Sequence, residues 1–373
     1  MLRKHVKSAV FVVVYLVIRE LECSRVSYGG VTTQLDTHNS SFIIHISPFF
    51  NSISVSLSMQ KNVLFLDTVH PILAERLTKA GYTCIEAWDW SKEQCLEEAK
   101  SAIGIVIRSR FAMNEEFLQF APLLEFIARS GAGMENIDER YCKKRGITLY
   151  NAPEGNRNAV GEHALGMLLS LLNKLHTADR DVRKGIWDRD TNRGIELDGK
   201  TVGIIGFGNN GGAFAKKLRG FDVKLMAYDK YKKGFGDHFV MECTLNAILK
   251  NADVISFHIP QNNETMWMAN DVFFNRLQKP VFLLNLSRGK IVQTSALVAA
   301  LKQGLVLGAG LDVLEYESTS FESFFGKELP EDLNYLLQSD NVLITPHVGG
   351  WTNESYFKLS DVLADKILEK SYE

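Results

Sequence analysis

An α/β architecture of two doubly wound parallel sheets follows from the order of apolar and polar segments. From residue 62 onward, short β-rich runs alternate with polar helical stretches, as strand–helix–strand crossovers do. The strand candidates are apolar almost throughout, as strands buried on both faces are. Length agrees with this: 373 residues, 46% hydrophobic and 23% charged, suffice for two domains of ordinary size.

The first 58 residues are of another kind. Arg3, Lys4 and Lys7 precede an apolar run from Ala9 to Ile18, and a Ser/Thr/His-rich stretch follows. The outline is that of a signal peptide, but the run is short for a bilayer span, and Arg19, Glu20, Leu21 and Glu22 supply no small-x-small cleavage site. Met59 stands directly before KNVLFLD, so it is expected to be the natural start and 1–58 a non-native or disordered extension.

In the first unit the strands NVLFLD, GIVIRS and LEFIARSG are each followed by a helical segment (about His70 to Lys79, NEEFLQFAP and DERYCKKRG), and ITLYNAP is the last strand. One long helix is expected from Ala159 to about Lys184, with Ala164, Met167, Leu168 and Leu171 at helical spacing. The second unit then offers TVGIIGFG, VKLMAYD, ADVISFHIP, VFLLNLSRG, LGAGLDV and NVLI as strands.

The first strand-to-helix turn of that second unit is GIIGFGNNGG, with Gly206, Gly208 and Gly211 around Asn209 and Asn210. Glycines here allow a tight turn and close approach to a pyrophosphate, and the N–H groups of a helix start attract its charge. The next strand ends in Asp229, 18 residues beyond Gly211, where a carboxylate accepts ribose hydroxyls and repels a 2′-phosphate. NAD is therefore the expected cofactor, with Lys230, Lys232 and Lys233 softening the discrimination. Arg288, Glu317 and His347 lie at or just after strand ends, where ligands of open α/β sheets bind, and supply a cation, a carboxylate and a proton carrier. Taken singly, each is also an ordinary surface or structural residue.

A net charge of −2 and a pI near 6.5 give no field for nucleic acid. The five scattered cysteines have no metal-ligand spacing; no metal is expected, and a reducing cytoplasmic compartment fits best.

The motifs IRSR (108–110 at its arginines), SGAGMENID, YNAP, GFGNNG, HIP, NLSRG, GLDV and TPHVGG together resemble the D-isomer-specific 2-hydroxyacid dehydrogenases, and within them the D-3-phosphoglycerate dehydrogenases. The resemblance runs from about residue 62 to the end. It implies a Rossmann-type NAD-binding domain (158–346) inserted into a flavodoxin-like α/β substrate domain (59–157 with 347–373). It also implies that Arg288 binds the substrate carboxylate and keto oxygen, that His347 exchanges the proton, and that Glu317 pairs with His347. Cofactor contacts carried over by position are the glycine loop, Asp229, His258 and Pro260, Asp312, and Gly349 and Gly350. The turn Ser130, Gly131, Ala132, Gly133 resembles the family's carboxylate cradle, with Asn136 and Asp138 fixing its loop. Subunit packing in the family implies a homodimer, with no membrane and no nucleic-acid partner.

Substrate choice rests on IRSR. If the strand persists, Arg108 and Arg110 share a face and hold a phosphate between them; otherwise one is solvated and the other sits in a surface ion pair. The first alternative favours 3-phosphoglycerate and 3-phosphohydroxypyruvate, hence serine biosynthesis; the second leaves glycerate, hydroxypyruvate or lactate. A dinucleotide-sensing corepressor-like role is the competing class. No carboxy-terminal regulatory domain is expected, so no serine feedback through one. Departures from the family pattern are Asn210 where an apolar residue is usual, Ser318 after Glu317, Glu315 and Glu322 as rivals of Glu317, a long segment 321–340, and Trp351 in place of a small residue.

Overall fold

The computed structural model describes residues 27–28, 31–36, 41–46, 57–58, 60–317 and 329–370. The chain divides into two compact units, Met1–Lys61 and Asn62–Glu373. In the first, β1 (Ser27–Tyr28), β2 (Val31–Asp36), β3 (Ser41–Ile46) and β4 (Leu57–Ser58) form an antiparallel sheet in that order. The apolar run 9–18 and Met59 lie outside the described residues, as do Ser318 and Glu322.

The second unit carries both parallel sheets. The five-stranded sheet has β5 (Lys61–Phe65), β6 (Tyr82–Glu86), β7 (Ala102–Ile107), β8 (Phe126–Arg129) and β9 (Thr148–Asn151), ordered β6-β5-β7-β8-β9. That is the flavodoxin-like order 2-1-3-4-5. β7 is buried at every residue, which is why its sequence is a continuous apolar run. β6 was not foreseen: YTCIE is short, and only Tyr82 of its residues is buried.

The seven-stranded sheet has β10 (Thr201–Ile205), β11 (Lys224–Tyr228), β12 (Val240–Glu242), β13 (Val254–Phe257), β14 (Val281–Asn285), β15 (Val306–Leu311) and β16 (Val342–Ile344), all pairs parallel. Its order β12-β11-β10-β13-β14-β15-β16 is the Rossmann order 3-2-1-4-5-6 with a seventh strand at one edge. β12, a three-residue edge strand, was also not foreseen.

The single helix expected from Ala159 to Lys184 is two helices. The first begins at Pro153, whose fixed φ and missing N–H suit the first helical position, and ends at Leu172. Lys174 then takes a left-handed φ of 51°, and the Leu172 carbonyl accepts the Ile195 N–H (2.9 Å) instead of continuing the ladder. The second helix is Leu175–Arg183. Met167, Leu168 and Leu171 pack into the nucleotide-side core with Ile204 and Phe214, so they are core residues.

The C-terminal helix Asn353–Lys370 returns to the first sheet. Leu359, Leu363, Ala364 and Ile367 pack with Val63, Phe65 and Phe126, and fully burying a leucine such as Leu363 stabilises by about 1.5–3 kcal/mol. Arg76 fastens the helix through Asp361 and Asp365, both at 2.7 Å. The seven-stranded unit is thereby inserted between strands of the five-stranded unit and the helix that completes it.

Candidate active site

The glycine loop joins β10 to the helix Asn209–Lys217, and two of its fingerprint glycines, Gly206 and Gly211, have a steric reason. Gly206 has φ +93°, and a Cβ there would lie 2.5 Å from the His258 carbonyl. At Gly211 a Cβ would lie 2.0 Å from the Gly206 carbonyl, so any side chain would push the helix off the strand. Gly208 differs: a Cβ there meets nothing within 4 Å, which leaves open space above the helix start. A turn, a close helix packing and an open approach side are what a pyrophosphate needs, so these residues fit a dinucleotide.

Asp229 acts as a clamp on this loop. Phe207 N–H donates to Oδ2, while Tyr231 and Lys232 N–H donate to Oδ1, each at 2.9 Å. Burial opposes its ionisation, but these backbone N–H groups outweigh burial and hold the carboxyl below its ordinary range. His258 bonds Ser256 Oγ through Nε2 (2.8 Å), and its Nδ1 is buried without a partner among the described residues. Part of the residue reaches solvent, yet the ring is enclosed, and desolvation pushes the imidazole down to about 3. It is a neutral wall. Pro260 is exposed, and its carbonyl accepts Thr265 Oγ1–H.

Asp312 is buried at the end of β15 and organises the TPHVGG turn. Thr345 Oγ1–H and Val348 N–H donate to its Oδ1 (2.6 and 2.9 Å), and Gly349 N–H to Oδ2 (2.8 Å). His163 reaches the same group through Thr345 Oγ1 (3.1 Å). Gly350 leaves room for Asn156, whose amide nitrogen lies 2.6 Å from where a Cβ would stand. His347 projects from this turn with a left-handed φ of 55°. Its Nδ1 is 2.8 Å from Glu317 Oε2, and the Leu314 N–H fixes the other carboxylate oxygen of Glu317. Glu315 is taken up elsewhere, accepting Trp267 Nε1–H (2.7 Å) and Thr294 N–H (2.8 Å). Among the described carboxylates, Glu317 is thus the one that pairs with His347.

Arg288 follows β14 and crosses to the substrate-side loop, where Nε and Nη2 donate to the two oxygens of Glu135 (2.7 and 3.3 Å). Burial alone would raise the Glu135 pKa, but the Arg288 charge and hydrogen bonds outweigh it and lower it. Arg288, Glu135, Arg129 and Glu317 line one cleft of about 150 Å³, with Ser109 and Lys290.

The Ser130–Gly133 turn follows β8, between the cleft-lining residues Arg129 and Glu135. Ser130 N–H donates to the Ile107 carbonyl (2.8 Å), Asn151 Nδ2 to the Ala132 carbonyl (2.7 Å), and Asn136 Nδ2 to the Phe111 carbonyl (3.2 Å). Asp138 caps the following helix at Tyr141 N–H (2.9 Å). Gly131, at φ +158°, makes room for Arg129, whose Nη1 lies 1.8 Å from where a Cβ would be.

The expected pairing of Arg108 with Arg110 on one strand face is not made, because β7 ends at Ile107. Beyond it, the N–H groups of Arg108, Ser109 and Arg110 all converge on Asp67 Oδ2 (2.6, 3.1 and 3.2 Å). Arg110 then turns into its own domain and donates to the carbonyls of Leu66 (3.2 Å), Ala87 (2.7 Å) and Trp90. Arg108 lies 4.1 Å over the Trp351 ring. The second guanidinium at the cleft is instead Arg129. It is largely buried, its Nε donates to the Arg108 carbonyl (3.2 Å), and its two terminal nitrogens donate to nothing among the described residues. Burial, then the neighbouring Arg288 charge, lowers it to about 10, so it remains a cation at neutral pH.

Comparison with known proteins gives the family. Residues 165–349 match the model described as D-isomer specific 2-hydroxyacid dehydrogenase, NAD binding domain. A glyoxylate reductase of Pyrococcus furiosus is 32% identical over 76% of this chain and 85% of its own length. The chain belongs to the D-isomer-specific 2-hydroxyacid dehydrogenases. Another relative in this family, a D-3-phosphoglycerate dehydrogenase of Archaeoglobus fulgidus, is 35% identical over 82% of this chain and 56% of its own. The chain thus spans little more than half the length of that relative. The crystal structure of a D-lactate dehydrogenase from Aquifex aeolicus, complexed with NAD and lactic acid, superposes with a TM-score of 0.72 at 27% identity, covering 84% of this chain and 96% of that one.

Within this member of the 2-hydroxyacid dehydrogenase family, sequence reasoning missed Arg129 and Glu135. Both stand inside or beside the motif SGAGMENID, so the signal was a charge flanking a glycine turn at a strand end. Asn210 keeps its buried Oδ1 without a partner among the described residues, and Asn209 Oδ1 accepts from Arg157 (3.3 Å). Among the described residues no helix is long and apolar enough to cross a membrane, and no group of His, Cys, Asp or Glu could hold a metal.

Proposed function

We propose that the chain is an NAD-dependent oxidoreductase interconverting a D-2-hydroxy acid and its 2-keto acid. The observation that carries this reading is the His347–Glu317 pair set beside Arg288 and Arg129 at the cleft. Gly206, Gly208, Gly211 and Asp229 hold the dinucleotide, with His258, Pro260, Asp312, Gly349 and Gly350 bordering it; when bound, the nicotinamide supplies or accepts the hydride. Arg288 holds the substrate carboxylate and polarises the keto oxygen. In reduction, His347 gives that oxygen a proton from Nε2; in oxidation it takes one back. Glu317 on Nδ1 fixes the tautomer and favours the imidazolium, which is the form that can donate. The Ser130–Gly133 turn lends backbone N–H groups to the same carboxylate, and closure around it excludes water.

For the substrate, we infer 3-phosphohydroxypyruvate and 3-phosphoglycerate, a step of serine biosynthesis. Support comes from the guanidinium count: Arg129 is a buried cation whose terminal donors have no described protein partner, and Arg108 and Arg288 flank it. One carboxylate does not need so many. The diversion of Arg110 favours a second reading, a non-phosphorylated acid such as hydroxypyruvate, glyoxylate or pyruvate. NADH consumption with all four keto acids decides between them: a kcat/KM at least tenfold higher for the phosphorylated acid supports the first reading. No turnover of any, despite NADH binding, would return the corepressor-like class.

A homodimer in the cytoplasm completes the proposal. Leu175, Val182 and Ile186 are exposed, and Trp187 is 81% exposed, a patch suited to burial by a second copy. A monomeric mass by light scattering would refute it.

A further inference from the structure

The ion pair between Arg288 and Glu135 joins the loop after β14 to the loop after β8, and its geometry is selective. Glu135 takes the side-on edge of the guanidinium, Nε at 2.7 Å and Nη2 at 3.3 Å. Nη1 donates to the carbonyl of Ser287 at 2.7 Å, and Asn285 Nδ2 holds the Arg288 carbonyl at 3.0 Å. A guanidinium has five N–H donors, so one remains on each of Nη1 and Nη2, and the end-on edge between these two nitrogens adjoins the edge that Glu135 takes.

We propose that Glu135 is a positioning residue: by holding the side-on edge of Arg288 it presents the end-on edge to the substrate carboxylate. This rests on the reading of the cleft as a 2-keto acid site. A flexible arginine has many rotamers, and fixing one before substrate arrives removes an ordering cost from binding. The glycine turn is shaped for this pair. A Cβ at Gly133 would stand 2.0 Å from Arg288 Nη2 and 2.1 Å from Glu135 Oε2, so the pair rests directly on the turn and a side chain at 133 would part it. Gly133 therefore serves Arg288 as much as it serves the turn. Glu135 is ionised at neutral pH, and with Arg129 beside Arg288 it also offsets the repulsion of two neighbouring cations before substrate enters.

A carboxylate at this place has an alternative role, that of an internal competitor occupying Arg288 until substrate displaces it. The two roles predict opposite signs. Glu135→Gln keeps the shape and one acceptor but loses the bidentate carboxylate; Glu135→Asp keeps the charge with a shorter reach. The readouts are KM and kcat for the best keto acid, inhibition by oxamate as a 2-keto acid isostere, NADH affinity by fluorescence, and Tm. For a positioning residue, Glu135→Gln raises KM and the oxamate inhibition constant about tenfold or more, with a smaller fall in kcat, while NADH affinity and Tm stay at parental values; Glu135→Asp recovers part of the loss. An unchanged or lowered KM in Glu135→Gln overturns the proposal, and so does a loss that NADH affinity and Tm share equally. If the parent itself turns over none of the four keto acids, the functional reading falls and takes this inference with it; a working parent with an indifferent Glu135→Gln removes the inference alone.

Discussion

At Gly206–Gly211 main-chain N–H groups stand at a helix start, on a loop held by the Asp229 clamp; at the cleft the charged donors are the guanidinium groups of Arg129 and Arg288. The first kind of site is fixed by backbone shape, so its residues are dictated by what the backbone forbids. The second depends on where long side chains end, which the partners of each side chain decide. Arg108 and Arg110 make the point. They are separated by one residue, yet one lies over Trp351 and the other is spent on carbonyls within its own domain.

That contrast can be broken by substitution. The largest effect is expected where both sites meet, at His347. His347→Asn should lower kcat about 10² to 10⁴-fold, the range for loss of a general acid–base group, and leave NADH binding at the parental value. A variant retaining a tenth of parental kcat would remove His347 from the reaction. Next come the glycines. Gly211→Ala should weaken NADH binding by well over tenfold and lower Tm together, because its Cβ collides with the Gly206 carbonyl. Gly208→Ala collides with nothing in the protein, so it should weaken NADH binding while Tm holds; an unaffected NADH titration would show that the pyrophosphate does not lie there.

The side-chain site is sharpened by a matched pair. Arg129→Met should raise KM for phosphorylated keto acid by about tenfold, the scale of one charge-assisted bond, with Tm preserved. Arg110→Met should do the reverse, lowering Tm by several degrees through the loss of its hydrogen bonds to the carbonyls of Leu66, Ala87 and Trp90 without altering preference among keto acids. Equal effects on substrate preference would restore the pairing of Arg108 with Arg110. The smallest effect concerns acid stability. The folded His258 imidazole titrates near 3, below its ordinary 6.5, so below about pH 6.5 the unfolded chain binds the extra proton and stability falls until the folded ring titrates. His258→Gln should show a shallower loss of Tm between pH 6 and 4 than the parent; parallel curves would show that the ring is not the source.

How far the sequence carried the reading follows the same division. The alternation of parallel strands with helices and the glycine loop were legible, because buried parallel strands and glycine spacing are local patterns; the inserted nucleotide unit came from the family resemblance. The edge strands β6 and β12 were not, since a short strand with one covered flank has no long apolar run. The break at Lys174 was hidden because helical periodicity continues on both sides of it while Ile195, distant in sequence, takes the Leu172 carbonyl. Among site residues, the spacing from Asp312 selected Glu317, and the hydrogen bond of Glu315 to Trp267 supplies the reason it is not a rival. Arg129 and Glu135 escaped notice because their one local signal, a charge flanking a glycine turn at a strand end, does not by itself distinguish a cleft-facing charge from a solvated one.

His347 is one of three described non-glycine residues with positive φ, the other two being Lys174 and Trp267. A left-handed backbone costs most residues about 1–2 kcal/mol, least for asparagine and aspartate, and it shuts out β-branched side chains. The Asp312 carboxylate offsets that cost by gathering the N–H groups that follow. The position is therefore filtered twice, once by shape and once by proton chemistry, and the two filters pass almost disjoint sets of residues. A chain drifting by single substitutions could keep this turn with asparagine or glycine and lose the reaction outright, leaving an intact dinucleotide binder with a silent cleft.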